Sequence, residues 1–169
     1  MQNPNEDAGG TGFAERLGRA VRPGDAWPAL HALFDAAVGA RLFTVTTVDL
    51  DRAEARRLYS SDPANYPVSG AKPILVDPWY EQVVVRHETF VQNRLADIAS
   101  HFPDHALIGR LGCGSVINLP VLAGGAVVAT VNCLDVEHRY TPERVAAAEA
   151  LRLHALAAWL VEQRAGALS

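Results

Sequence analysis

The chain has 169 residues, 49% hydrophobic and 20% charged, a globular composition with enough apolar material for one core. A formal net charge of -4 and the lack of any Lys/Arg run exclude a nucleic-acid surface, whose footprint is basic. No stretch of about 18 apolar residues runs free of charged or polar breaks, which excludes a membrane-spanning helix; Arg152 and His154 interrupt the nearest candidate.

Residues 1–12 are rich in Asn, Asp and Gly without periodicity and are expected to form a disordered tail, leaving 13–169 as a single domain. The tail is acidic and unlike a secretory signal, and two cysteines are too few for a disulfide framework. A reducing cytoplasm is the expected setting. Phe13, Leu17 and Val21 share one face of a short helix, which Pro23-Gly24 ends. Asp25 is the expected N-cap of a second helix reaching Val38, with Trp27, Leu30, Leu33, Phe34 and Val38 as its apolar stripe and Gly39 as its stop.

Residues 41–51 alternate and are β-branched, so they predict a strand, and 55–61 predict its hairpin partner, although the stretch from Asp51 to Tyr59 also reads as helix. Residues 62–77 hold three prolines and a glycine and predict a long loop. Asp77 and Pro78 open a helix, residues 89–93 form a short strand, and two short helices follow, separated by Pro103, the second capped by Asp104 and stopped by Gly112. Gly124-Gly125 joins strands 115–122 and 126–135 in a hairpin, because both turn residues can take positive φ. A final helix, opened by Thr141-Pro142-Glu143, runs to about Gln163. This order predicts an α+β fold: an antiparallel sheet with the terminal helices on one face and segment 62–112 on the other.

The stretch LGCGSVINLPVLAGGAVVATVNCLD, followed by YTPERVAAAEALRLHALAAWL, resembles the GAF family over roughly residues 25–163. The segment RRLYSSDPANYPVSGAKP is similar to that of a free-standing GAF subgroup. The resemblance implies a GAF/PAS-like sheet of about six strands, a ligand pocket under a lid of loop and short helices, and a homodimer formed through the terminal helices. It also implies a small-molecule ligand. An enzyme is the alternative it leaves open: a reductase, hydrolase or isomerase on a small carboxylated or aromatic compound. The sulfoxide-reducing members of the family use more cysteines than this chain has.

Within the hairpin, a plain two-residue turn sets Asn118 opposite Val131, placing Val116, Asn118, Ala129, Val131 and Cys133 on one face and Ser115, Ile117, Thr130 and Asn132 on the other. A bulge that shifts the register by one residue joins Asn118 to Asn132 instead. Either way an amide meets the pocket or is satisfied by backbone. Tyr66, Lys72 and Trp79 gather aromatic surface and the chain's only lysine beside a Pro-rich lid, which suits an anionic aromatic or carboxylate ligand. The expected ligand-binding set is therefore Tyr66, Lys72, Trp79, Ser115, Asn118, Asn132, Cys133 and Asp135. The expected catalytic set, if there is chemistry, is Cys113, His105 and Asp97, a thiol with an imidazole and a carboxylate. Asp97, His101 and His105 are spaced four apart, but Pro103 breaks the helix that would align them, so no metal site is expected. No cofactor is assigned.

Overall fold

A computed structural model describes residues 6–68 and 70–167, with side chains described from residue 12 onward. The elements are α1 (Glu6–Gly18), α2 (Trp27–Ala37), β1 (Leu42–Asp49), β2 (Glu54–Ser60), β3 (Lys72–Pro73), α3 (Pro78–Tyr80), β4 (Phe90–Gln92), α4 (Leu95–Ile98), α5 (His105–Arg110), β5 (Ser115–Ala123), β6 (Ala126–Asp135), α6 (Pro142–Ala150) and α7 (Arg152–Ala167). A π-helical turn over Glu81–Val85 extends α3. The helix α1 begins at Glu6, so residues 6–12 are helical and not the disordered tail expected; residues 1–5 of that tail lie outside the described residues. The C-terminal helix is two helices that part at Leu151.

The six strands form one antiparallel sheet in the order β3-β2-β1-β6-β5-β4. Strand periodicity divides its residues between two faces. Phe43, Val45, Ile117, Leu119, Val121, Val131 and Cys133 pack against α1, α2, α6 and α7 with Leu30, Phe34, Tyr140, Ala155 and Ala158. The opposite face carries Thr44, Thr46, Val116, Asn118, Thr130, Asn132 and Leu134, and segment 62–112 covers it.

The hairpin turn is Gly124-Gly125 with φ of 61° and 83°, and Ala123 pairs with Ala126. A bulge then intervenes: Leu122 pairs with Val127 but Val121 pairs with Ala129. From there Asn118 stands opposite Asn132, Ile117 opposite Cys133 and Val116 opposite Leu134. The plain-turn register is thus replaced by the bulged one. The extra residue keeps Ile117, Leu119, Val131 and Cys133 together against the helices, where an apolar set is most stable.

Asp25 does not cap α2. Its Oδ2 accepts from the backbone N–H groups of Val21 and Arg22, at 3.1 and 2.9 Å. The entry to α2 is held by Glu162 of α7, whose carboxylate accepts from Gly24 N at 2.6 Å and Ala26 N at 2.7 Å. Asp77 does cap α3, accepting from Tyr80 N at 2.8 Å. No side-chain cap hydrogen bond is made by Asp104 or Thr141.

Candidate functional site

Between the sheet and segment 62–112 lies a cavity of about 260 Å3. Its floor is the polar strip of the sheet. Its walls come from β2 and β3 through Ala55, Arg57 and Lys72, from the chain around Ile74 and Trp79, and from α4–α5 through Ile98, His101, Phe102, Asp104 and Ile108.

The bulged register makes the floor a continuous hydrogen-bonded row. Trp79 Nε1 donates to Asn118 Oδ1 at 3.0 Å, and Asn118 Nδ2 donates to Asn132 Oδ1 at 2.7 Å. Asn132 Nδ2 donates to the hydroxyl oxygens of Thr44 at 3.1 Å and Thr46 at 3.2 Å. Both asparagines are buried, so each amide needs these partners.

The roof is tied to β2 by charge and stacking. The Tyr66 hydroxyl donates to Asp104 Oδ2 at 2.6 Å, joining the 62–77 loop to the start of α5. Arg57 lies beneath it, its guanidinium carbon 3.7 Å from the centre of the Tyr66 ring. Arg57 also donates through Nη1 to Pro67 O at 2.7 Å and sits 4.0 Å from Asp104 through Nη2. Burial, reinforced by the Asp104 carboxylate, pushes the Tyr66 phenol well above its ordinary range. Two buried nitrogens in the wall have no hydrogen-bond partner among the described residues: Arg57 Nε and His101 Nδ1. The His101 ring packs edge-on to Phe90 with centroids 5.0 Å apart.

Of the expected ligand-binding residues, Tyr66, Lys72, Trp79, Asn118 and Asn132 come together on the cavity. The other three do not line it. Cys133 faces the terminal helices, because the bulge turned it there. Ser115 donates to Val136 O at 2.7 Å, and Asp135 pairs with Arg139 at 3.4 Å, both at the far end of the hairpin.

The expected catalytic residues are not assembled on the cavity either. Cys113 is buried among Ile98, Ile108 and Val116, and burial pushes its thiol up to about 11, so it is protonated near neutral pH. The His105 ring nitrogen Nδ1 is spent on Phe102 O at 3.0 Å. Asp97 sits in the first turn of α4, outside the cavity wall. Cys113 and Cys133 are both free and belong to cores on opposite faces of the sheet. Among the described residues no three His, Cys, Asp or Glu side chains gather as a metal cluster.

Sequence reasoning missed Thr44, Thr46, Arg57, His101 and Asp104 as cavity residues. One signal was readable: in FTVT, hydroxyls alternate with core hydrophobes, which marks a strand whose second face is buried yet polar. Nothing local marks Arg57 or Asp104.

A six-stranded antiparallel sheet with terminal helices on one face and a lidded cavity on the other is a GAF fold, as solved structures similar to it show. The GAF domain of a phosphoenolpyruvate-protein phosphotransferase from Acinetobacter superposes with a TM-score of 0.70 at 13% identity, covering 100% of this chain and 98% of that one. The corresponding domain from Coxiella burnetii gives 0.65 at 16% identity, with 93% of each chain covered. The chromophore-binding domain of a bacteriophytochrome from R. palustris gives 0.65 at 12% identity, over 99% of this chain and 63% of that one. At these identities the likeness is one of fold. No family model matches the sequence, and neither does any curated protein. Among the described residues no helix is long and apolar enough to cross a membrane.

Proposed function

We propose that this chain is a small-molecule-binding module that holds its ligand between the sheet and segment 62–112. The observation that carries this reading is the cavity itself, whose floor is a buried row of amides and hydroxyls where a core would be aliphatic. Such a surface is built only where a polar guest or fixed partners repay its desolvation. That a bacteriophytochrome's chromophore-binding domain shares the fold supports it. Both cysteines are free and buried, which suits the reducing cytoplasm. With Cys113 protonated and His105 and Asp97 off the cavity, no observation favours an enzyme that uses the three.

A thermal-shift screen of carboxylates, nucleotides and nitrogen heterocycles tests this. A ligand at 100 times its Kd stabilises by about 2.7 kcal/mol. Ala55→Phe, which fills the cavity edge, is expected to abolish the shift. Stabilisation that survives Ala55→Phe, or none from the whole library, refutes the reading.

The same reading includes a homodimer through the terminal helices. Leu153, which lines the groove between α1 and α7, and Leu160, seven residues further along α7, are 73% and 54% exposed. Light scattering is expected to report a dimer that Leu153→Glu/Leu160→Glu converts to monomer; a monomeric wild type overturns it.

A further inference from the structure

We infer that the cavity is built for a small monocarboxylate, received at Thr46, Arg57 and Lys72 on a floor whose hydrogen-bond direction Trp79 sets. This rests on the cavity being the ligand site. An indole N–H can only donate. The atom of Asn118 that faces Trp79 is therefore its oxygen, and its NH2 group must face Asn132. Asn132 in turn presents oxygen to Asn118 and NH2 to Thr44 and Thr46. Direction thus passes along the row from the donor-only indole, and the backbone oxygen of Ile117, which accepts from Asn118 Nδ2 at 3.3 Å, holds the same orientation, with no freedom left to either amide. Both threonine oxygens receive a hydrogen, so both hydroxyl hydrogens are left to donate onward. Neither has an acceptor among the described residues.

Thr46 stands directly opposite Arg57 across the β1–β2 pair, and both line the cavity. Arg57 is held by Pro67, Tyr66 and Asp104, and its Nε is a buried donor without a hydrogen-bond partner among the described residues, a group that gains when an acceptor reaches it. Lys72, opposite Ala55 on the adjoining strand, makes no ion pair among the described residues. Both carboxylates on the wall are already engaged: Asp104 holds Tyr66, and Asp77 caps α3. The groups left over at this edge are donors and cations.

Two donors, O–H and N–H, match the two oxygens of a carboxylate. A second negative charge would meet Asp77 and Asp104, which disfavours a dianion such as a phosphate monoester. The remaining wall is mostly apolar, with Ile98, Phe102, Ile108 and Leu134 against His101 and Thr130, so the body of the ligand is mostly apolar. A cavity of 260 Å3 limits it to a small molecule.

The test is an NMR titration of the 15N-labelled full chain with benzoate and 4-methylpentanoate against benzamide and 4-methylpentanamide, following the Trp79 indole and Thr46 amide signals. The acids are expected to bind in preference to the amides. Arg57→Met is expected to weaken the acids by about tenfold or more, the value of one charge-assisted hydrogen bond, and to leave the amides unmoved. Thr46→Val, nearly the same shape, weakens them several-fold and does not depend on the Tyr66 stack. Trp79→Phe removes one of the two groups that orient Asn118, the other being Ile117 O, and is expected to shrink the acid-over-amide preference. Amides that bind as well as acids, or acid affinity indifferent to both Arg57→Met and Thr46→Val, overturn the carboxylate assignment and leave the ligand cavity standing. If no probe moves either signal, the carboxylate assignment falls, and the thermal-shift screen decides the ligand cavity separately.

Discussion

Glu162→Ala is expected to destabilise the protein by about 3 kcal/mol, lowering Tm by about 6–12 °C. The Glu162 side chain is buried, and its two oxygens are the acceptors for Gly24 N and Ala26 N. Hydrogen bonds to a charged acceptor contribute about 1.5–3 kcal/mol each, and removing the acceptor leaves the buried Ala26 N–H unpaired. The negative charge also lies at the N-terminal end of α2, where the helix dipole favours it. Glu162→Gln keeps one acceptor oxygen and turns the other into an NH2 that faces an N–H, so it should fall between. Urea unfolding of the three proteins gives the order; a Glu162→Ala variant within about 0.5 kcal/mol of wild type would show that the clasp between α7 and the entry of α2 contributes nothing.

Asn132→Leu is expected to cost about 2–3 kcal/mol, because it takes the acceptor from Asn118 and the donor from Thr44 and Thr46 in one change. Asn118→Leu should cost a similar amount, by orphaning Trp79 Nε1 as well as Asn132 Oδ1. The double variant should cost less than the sum, by at least about 0.5 kcal/mol, since each single change strands an amide that the double change removes. Strict additivity in denaturant unfolding would mean that the two amides do not share a hydrogen bond. Tm alone would not separate these cases, so the full cycle is needed.

The floor row and the Glu162 clasp differ in how far the sequence foreshadows them. Asn118 and Asn132 stand out as amides inside apolar strands, and their meeting was one of two registers compatible with the hairpin. The choice between registers came from the bulge between Val121 and Leu122, which the Gly124-Gly125 turn does not encode. Packing chose it, by gathering Ile117, Leu119, Val131 and Cys133 onto the helix face. The same slip sent Cys133 away from the cavity. Asp25 had the residue type and position of an N-cap, and lost that role to a carboxylate 136 residues away from Ala26 in the chain.

Local chemistry by itself determined the β5–β6 hairpin, the Gly-Gly turn, the Asp77 cap and the helices at both ends, while β2 was legible as strand or helix. Those features depend on periodicity and backbone preference over a few neighbouring residues. Only the tertiary structure decided which residues wall the cavity. Arg57, Tyr66 and Asp104 meet there from a strand, a loop and a helix start, and Trp79 reaches Asn118 across 39 residues. Such contacts are set by how the lid segment settles on the sheet, a balance of burial and hydrogen bonding over the whole chain that no short stretch of sequence contains.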